Sequence, residues 1–240
     1  MKFTVDPKIF EVFPGVSIGV VSISYMVNSS NVSEILALLR QEEAHQKEVL
    51  TGIDLGSLPE ISMWREIYKK FGSDPHDFRS SIESLLRRAR GGKPLPEINP
   101  LVDLYNYLSL KYHLPAGAED LDKVQGDIVL GFSDGTEKGI ALGFDTEEAP
   151  DPGEVIYKDA KGFICRKWNW READRTKIDL TTKNAILVLE NPRLQGLTPA
   201  SPAGRLEPAL SEAKALIETH LHAKCAIMIL DSGQRYCSLS

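Results

Sequence analysis

Two short stretches carry the side chains best suited to chemistry. The first is Cys165–Arg171, Cys-Arg-Lys-Trp-Asn-Trp-Arg, where Trp168 and Trp170 flank Asn169 and Arg166, Lys167 and Arg171 lie on either side. Aromatic rings beside guanidinium groups can stack nucleic-acid bases or a terminal adenosine while binding phosphate. They can equally form a tryptophan pair covering a sheet, with arginines packed on the rings. The second is Ile98–Asp127, where Asp103 and Asn106 ride on an apolar helix and Glu119, Asp120, Asp122 and Asp127 follow in close order. Polar groups on a buried helix must find hydrogen-bond partners, and beside a charged loop they can form the wall of a site.

The familiar catalytic signatures are missing. There is no glycine-rich phosphate loop, no Gly-x-Ser-x-Gly elbow, no His-Glu-x-x-His and no Cys-x-x-Cys pair. His220, His222 and Cys225 lie close in sequence, but two histidines two apart on a helix point in different directions, so no metal is expected. No cofactor is expected either. The three cysteines, an odd number without paired spacing, read as reduced thiols of a cytoplasmic protein.

The elements that must position these residues follow from periodicity. Asn99 as cap and Pro100 in the first turn predict a helix to about Lys111, apolar on nearly every side, then a loop at Leu114–Gly117. Upstream, Gly15–Val27 reads as a long strand, with Ser17, Ser22 and Ser24 against Val16, Ile18 and Val20. Helices are predicted over Asn31–Leu50 with Asn31 as cap and a polar, exposed second half, over Pro59–Phe71, and over Asp74–Arg90 with Asp74 as cap. Downstream the pattern changes to strands. Ile128–Ser133 and Glu137–Leu142 flank Asp134-Gly135, a hairpin signal, and Asp145–Glu154 reads as an acidic surface loop. Val155–Tyr157, Gly162–Trp168 and Ala185–Leu189 supply further strands, Pro192–Pro208 a loop, Glu207–His222 a helix and Cys225–Leu230 a last strand. Helices first and strands later predict an α+β fold with sheets flanked by helices.

Composition suits a water-soluble globular chain: 240 residues, 42% hydrophobic, 26% charged. No stretch is long and apolar enough to span a bilayer, and the first residues show no secretory pattern. The net charge of −6 argues against a general nucleic-acid binder, and no DNA partner is expected. The charge is uneven, however. Basic residues outnumber acids in Trp64–Lys93 and in Lys161–Lys183, which are either local phosphate-binding fields or solvated faces.

Taken together, the residues resemble a family. Asn99–Ile128 closely resembles the start of the editing module, the B3/B4 domain, of the bacterial phenylalanyl-tRNA synthetase beta chain. That segment reads Asn-x-Val-Val-Asp-x-x-Asn-Tyr, then Pro-x-His-Ala-Phe-Asp, then a basic residue and a glycine. Asn99, Val102, Asp103, Asn106, Tyr107, Pro115, Ala118, Asp120, Lys123 and Gly126 fall in the matching places without a gap. Thr181–Glu190 is similar to the threonine-containing strand that closes the family's pocket. Trp64–Gly72, Ser81–Arg88 and the Trp-Asn-Trp-Arg run make the whole chain look like a free-standing member. The resemblance implies one B3/B4-like domain over 1–240, with a helix-rich part at 1–97, a family core at 98–190 and a C-terminal helix and strand at 205–231.

It further implies a pocket that hydrolyses mischarged aminoacyl-tRNA with a positioned water and no protein nucleophile. On that basis Asn106 and Asn169 are expected to orient the aminoacyl end or the water, Glu119 is a secondary candidate to meet the α-amino group or to activate water, and Arg166, Trp168, Trp170 and Arg171 are expected to form the part that grips the acceptor end. The alternative is a tRNA-binding module that kept the fold without the chemistry. Four places depart from the family. Gly117 stands where relatives carry histidine, and Glu119 where they carry phenylalanine. The acid that recognises a tyrosine hydroxyl falls on Val188, with Glu190 next on the same strand face. The family's glycine-rich pocket strand is replaced by Trp168, Asn169 and Trp170. These changes predict a pocket reshaped for a smaller or aliphatic amino acid.

Overall fold

The computed structural model describes residues 1–29, 32–192 and 204–239. The chain begins with β1 (Lys2–Val5) and a short helix α1 (Pro7–Val12), whose Asp6 cap accepts the Lys8 N–H. Next come β2 (Ser17–Ser24), α2 (Ser33–Val49), α3 (Pro59–Lys70), α4 (Ser81–Arg90) and α5 (Pro100–Tyr112). The remaining elements are β3 (Ala116–Asp120), β4 (Ile128–Phe132), β5 (Val155–Lys158), β6 (Phe163–Arg166), β7 (Arg171–Glu172), β8 (Ala185–Asn191), α6 (Leu206–His220), β9 (Lys224–Leu230) and β10 (Tyr236–Ser238). The fold is α+β, with two sheets and helices packed on them.

The four-stranded sheet runs β3-β8-β2-β9, antiparallel throughout, and the six-stranded sheet runs β10-β1-β4-β5-β6-β7 with one parallel pair, β1 with β4. Strand β2 lies inside its sheet, and Ser22 and Ser24 are as buried as its apolar residues. Both faces are therefore covered, so its partial alternation does not mark a solvent face. Gly19 lets α6 press onto this strand: a Cβ there would meet the Leu206 and Leu210 methyls at 2.8 Å. Glu212 of α6 clamps α5 by accepting from Tyr107 and Tyr112 hydroxyls and from Lys111.

The α5 helix begins as its sequence predicts, with the Asn99 side chain accepting the Val102 N–H and Pro100 in the first turn. Its surroundings differ from prediction. Residues 116–120 form β3 rather than a loop, because their backbone pairs with β8 in the register Gly117 to Val188 and Glu119 to Ile186. The α4 helix starts at Ser81, not at Asp74. Asp74 closes a separate turn by accepting the His76 N–H, while Ser80 caps the helix and Glu83 in its first turn binds Arg65 and Arg87.

The second half of α2 is only partly exposed. Glu43 is buried, paired with Arg40 and accepting the Leu95 N–H, and Gln46 is buried beside His113. Asp134-Gly135 does not open a two-residue hairpin. Strand β4 pairs with β5, and residues 133–154 form an excursion closed by paired bonds between Gly139 and Glu148. Within this segment Glu154 is buried, so the acidic run is not wholly a surface loop. The predicted Asn31 cap and most of the predicted loop 192–208 lie outside the described residues. No helix among the described residues is long and apolar enough to cross a membrane.

Candidate functional site

A cavity of about 360 Å³ opens where the two sheets face each other, bounded also by the start of α4, by α5 and by the turn between β6 and β7. The period-two geometry of strands explains its walls. On the six-stranded sheet, Tyr157, Cys165 and Glu172 are cross-strand neighbours in β5, β6 and β7, and all three line the cavity. On the four-stranded sheet, Gly117 and Glu119 of β3 line it together with Ile186, Val188 and Glu190 of β8. Exposed Ser84 and Leu142 and half-buried Asn106, Trp170 and Arg171 form its rim.

The β6–β7 turn is unusual. Lys167 and Trp168 both take the left-handed backbone conformation, with φ of 46° and 65°. Such residues persist only where their surroundings hold them. Here the Trp168 N–H donates to the Val155 carbonyl (2.6 Å), and the Trp170 N–H to that of Arg166 (3.1 Å). The turn drives the Trp168 indole into the core edge-on against Trp64 and Phe13. It also delivers Asn169 to the cavity floor. The Asn169 amide accepts from the Tyr68 hydroxyl (3.0 Å) and donates to Glu190 (2.5 Å), whose other oxygen accepts from Tyr157 (2.5 Å). Burial pushes the Glu190 carboxyl up to about 7, against the pull of these two donors and of the nearby Trp168 indole.

Glu172 crosses from one sheet to the other. Its Oε1 accepts the Ala118 N–H at 3.4 Å, and a Cβ on Gly117 would lie 3.0 Å from the same oxygen. The missing side chain at 117 therefore leaves the space that Glu172 fills. Part of Glu172 stays open to the cavity, but protein packs around its carboxyl and raises it to about 7. Glu119 is buried, and its Oε2 accepts no hydrogen bond. Burial and then the Glu172 charge hold its carboxyl well above the usual range. Burial likewise pushes up the Cys165 thiol and the Tyr105 phenol, with Glu172 and Glu119 adding to both shifts.

The residues singled out from sequence divide accordingly. Asn106, Gly117, Glu119, Trp168, Asn169, Trp170, Arg171, Val188 and Glu190 come together around the cavity. Arg166 does not line it. Its guanidinium is buried against Glu154 (2.6 Å) and Glu148 (2.7 Å), and Lys167 joins the same Glu154 (2.9 Å). Trp168 offers no exposed ring for stacking, since it is fully buried. Arg171 stays at the rim, donating to the Leu142 carbonyl and lying over the Trp170 and Phe144 rings. The basic runs are largely spent internally as well: Arg65 and Arg87 on Glu83, Arg88 on the Pro94 carbonyl, Arg175 on Asp159. Sequence reasoning missed Glu172, Tyr157, Cys165 and Tyr105. Strand register brings the first three together, and Tyr105 joins them from α5.

The model of the B3/4 domain matches residues 63–195, more than half of the chain. The chain belongs to the B3/4 domain family. Every residue that lines the cavity falls within the matched B3/4 segment. Outside it lie β1, β2, α2, α6, β9 and β10, which complete both sheets and cover the outer face of the four-stranded one. Among solved structures, the chain is similar to an N-terminal fragment of the phenylalanyl-tRNA synthetase beta-subunit from Pyrococcus horikoshii, at 13% identity and a TM-score of 0.44. The alignment covers 93% of this chain and 49% of that one, so the chain spans about half of its length. No curated protein matches the sequence.

Proposed function

We propose that this B3/4 protein binds the aminoacylated 3′ end of a tRNA in the cytoplasm and hydrolyses a mischarged ester in trans. The observation that carries the reading is the cavity between the sheets, of a size suited to a small ligand, with buried carboxyl groups and a polar rim. A protonated α-amino group suits such an interior, whereas phosphates do not, so the nucleic-acid backbone stays outside. Trp170 and Arg171 at the rim offer an aromatic face and a guanidinium to the terminal nucleotide. Asn106, half-buried at the rim, orients the ester carbonyl or the attacking water. Asn169 acts at one remove: its amide is committed to Tyr68 and Glu190, so it fixes the cavity floor. Water adds to the carbonyl, the ester C–O bond breaks, and the ribose hydroxyl leaves with a proton. The geometry needs no protein nucleophile.

The test is the purified protein against tRNAs charged with each amino acid in turn, scored for release of the amino acid. Selective loss of one ester, abolished by Asn106→Ala with the fold intact, supports editing. Salt-sensitive binding without turnover assigns the chain to the non-catalytic tRNA-binding alternative. Absence of both hydrolysis and RNA affinity at low salt overturns the reading.

A further inference from the structure

The three carboxyl groups of the cavity are not equivalent. Glu190 is filled by Tyr157 and Asn169. Glu119 has a buried oxygen that makes no hydrogen bond of normal geometry, although the Thr176 hydroxyl lies near enough to pull its carboxyl down, and among the described residues Glu172 has only the long contact from the Ala118 N–H. An unpartnered buried acceptor is costly in a folded protein and is best explained by a ligand that satisfies it. The pair also sits in apolar company, between Ile186 and Val188 on one sheet and Ile164 and Cys165 on the other.

We propose that Glu119 and Glu172 form a seat for a primary ammonium group, so that the cavity selects ligands carrying a free protonated amine. An ammonium has three donors and no acceptor, which matches two carboxyl groups with spare lone pairs. A hard metal cation wants about six oxygens, and with Glu190 committed to Tyr157 and Asn169 the cavity has only two carboxyl groups to spare. Gly117 is part of the device, because any side chain there would press on the Glu172 carboxyl. The raised carboxyl groups agree with a site that Arg175, which pulls the Glu119 carboxyl down, does not neutralise before the ligand arrives. The inference rests on the proposed function only for the bearer of the amine, which would be the α-amino group of the aminoacyl ester.

The test uses small probes without RNA. Calorimetry would compare the amides of alanine, valine, leucine, phenylalanine and tyrosine with the corresponding α-hydroxy amides, which replace the amine by a hydroxyl of similar size. At least one amino amide is expected to bind about tenfold tighter than its hydroxy analogue, the worth of one buried charge-assisted hydrogen bond. Glu119→Gln and Glu172→Gln, each checked for an unchanged circular dichroism spectrum, should remove most of that ratio. Equal binding of the two series, no binding of any amide, or a ratio unchanged in both variants overturns the seat. Amine selectivity without hydrolysis of any charged tRNA leaves the seat and sinks the editing function. Hydrolysis of α-hydroxyacyl-tRNA as fast as aminoacyl-tRNA does the reverse.

Discussion

Replacing Glu190 by glutamine should make the protein more stable at pH 8 than it is now, although a buried charged group and two short hydrogen bonds are altered. The carboxyl ionises near 4.5 in an unfolded chain and near 7 in the folded one. Below pH 4.5 both states hold the proton and the group costs nothing. Between those values the unfolded chain has released it and the folded chain has not, so stability falls as pH rises. Above pH 7 the loss is complete, at about 3 kcal/mol for a shift of this size. Glutamine removes the titration. Its oxygen still accepts from Tyr157. The Asn169 amide turns over so that its oxygen accepts from the new Nε2, and its nitrogen then meets the Tyr68 hydroxyl, which can accept as well as donate. That rearrangement costs about the same at every pH. Urea unfolding followed by tryptophan fluorescence, in steps from pH 4.5 to 8, gives the difference between variant and wild type directly. The difference should grow by about 3 kcal/mol in favour of Glu190→Gln and level off above pH 7. Glu119 and Glu172 titrate in both proteins and cancel. Parallel stability curves would refute the raised carboxyl and the desolvation argument with it.

Two further changes probe the frame around the site. Glu154 binds Arg166 and Lys167 in a buried cluster; Glu154→Gln leaves Arg166 with Glu148 and Lys167 with only Asp151 at 3.8 Å, and should cost about 3 kcal/mol in urea unfolding; a loss below about 1 kcal/mol would mean that the cluster relaxes into water. A Cβ on Gly162 would lie 1.9 Å from the Lys138 carbonyl oxygen, so Gly162→Ala should cost about 3 kcal/mol or more. Gly153 has a similar need for left-handed backbone but open space around it, and Gly153→Ala should cost only about 1–2 kcal/mol. Equal thermal shifts for the two variants would show that strain rather than the clash sets the cost.

What could be read along the chain was what local chemistry decides. Asn99 and Pro100 start α5 with bonds made within a few residues, so the start is visible in the sequence. Asp74-Pro75 looked like an equally good helix start, but Ser80 prevailed because Glu83 in that first turn reaches Arg65 on another helix. Strand β3 was invisible for the same reason. Pro115-Ala116-Gly117 has turn chemistry, and its extended form is imposed by β8, a partner some seventy residues away. The basic runs misled in the other direction. Arg166 and Lys167 read as a positive surface, yet both turn inward to one carboxylate from the acidic loop.

The site follows the same logic, and position 117 shows it most clearly. A glycine where relatives have histidine reads, along the chain, as a lost functional group. In space the position is closely bounded: a carboxylate oxygen of Glu172, from the opposite sheet, lies 3.0 Å from where a Cβ at 117 would stand. The glycine thus leaves room for an acid that is in electrostatic contact with Glu119, two residues along the strand from 117. Neither acid alone predicts this. Glu172 lies in a two-residue strand beside an arginine, the ordinary context of a surface ion pair, and Glu119 follows an alanine in a segment that reads as loop. The two acids come from different sheets, and the ammonium group proposed above satisfies both at once.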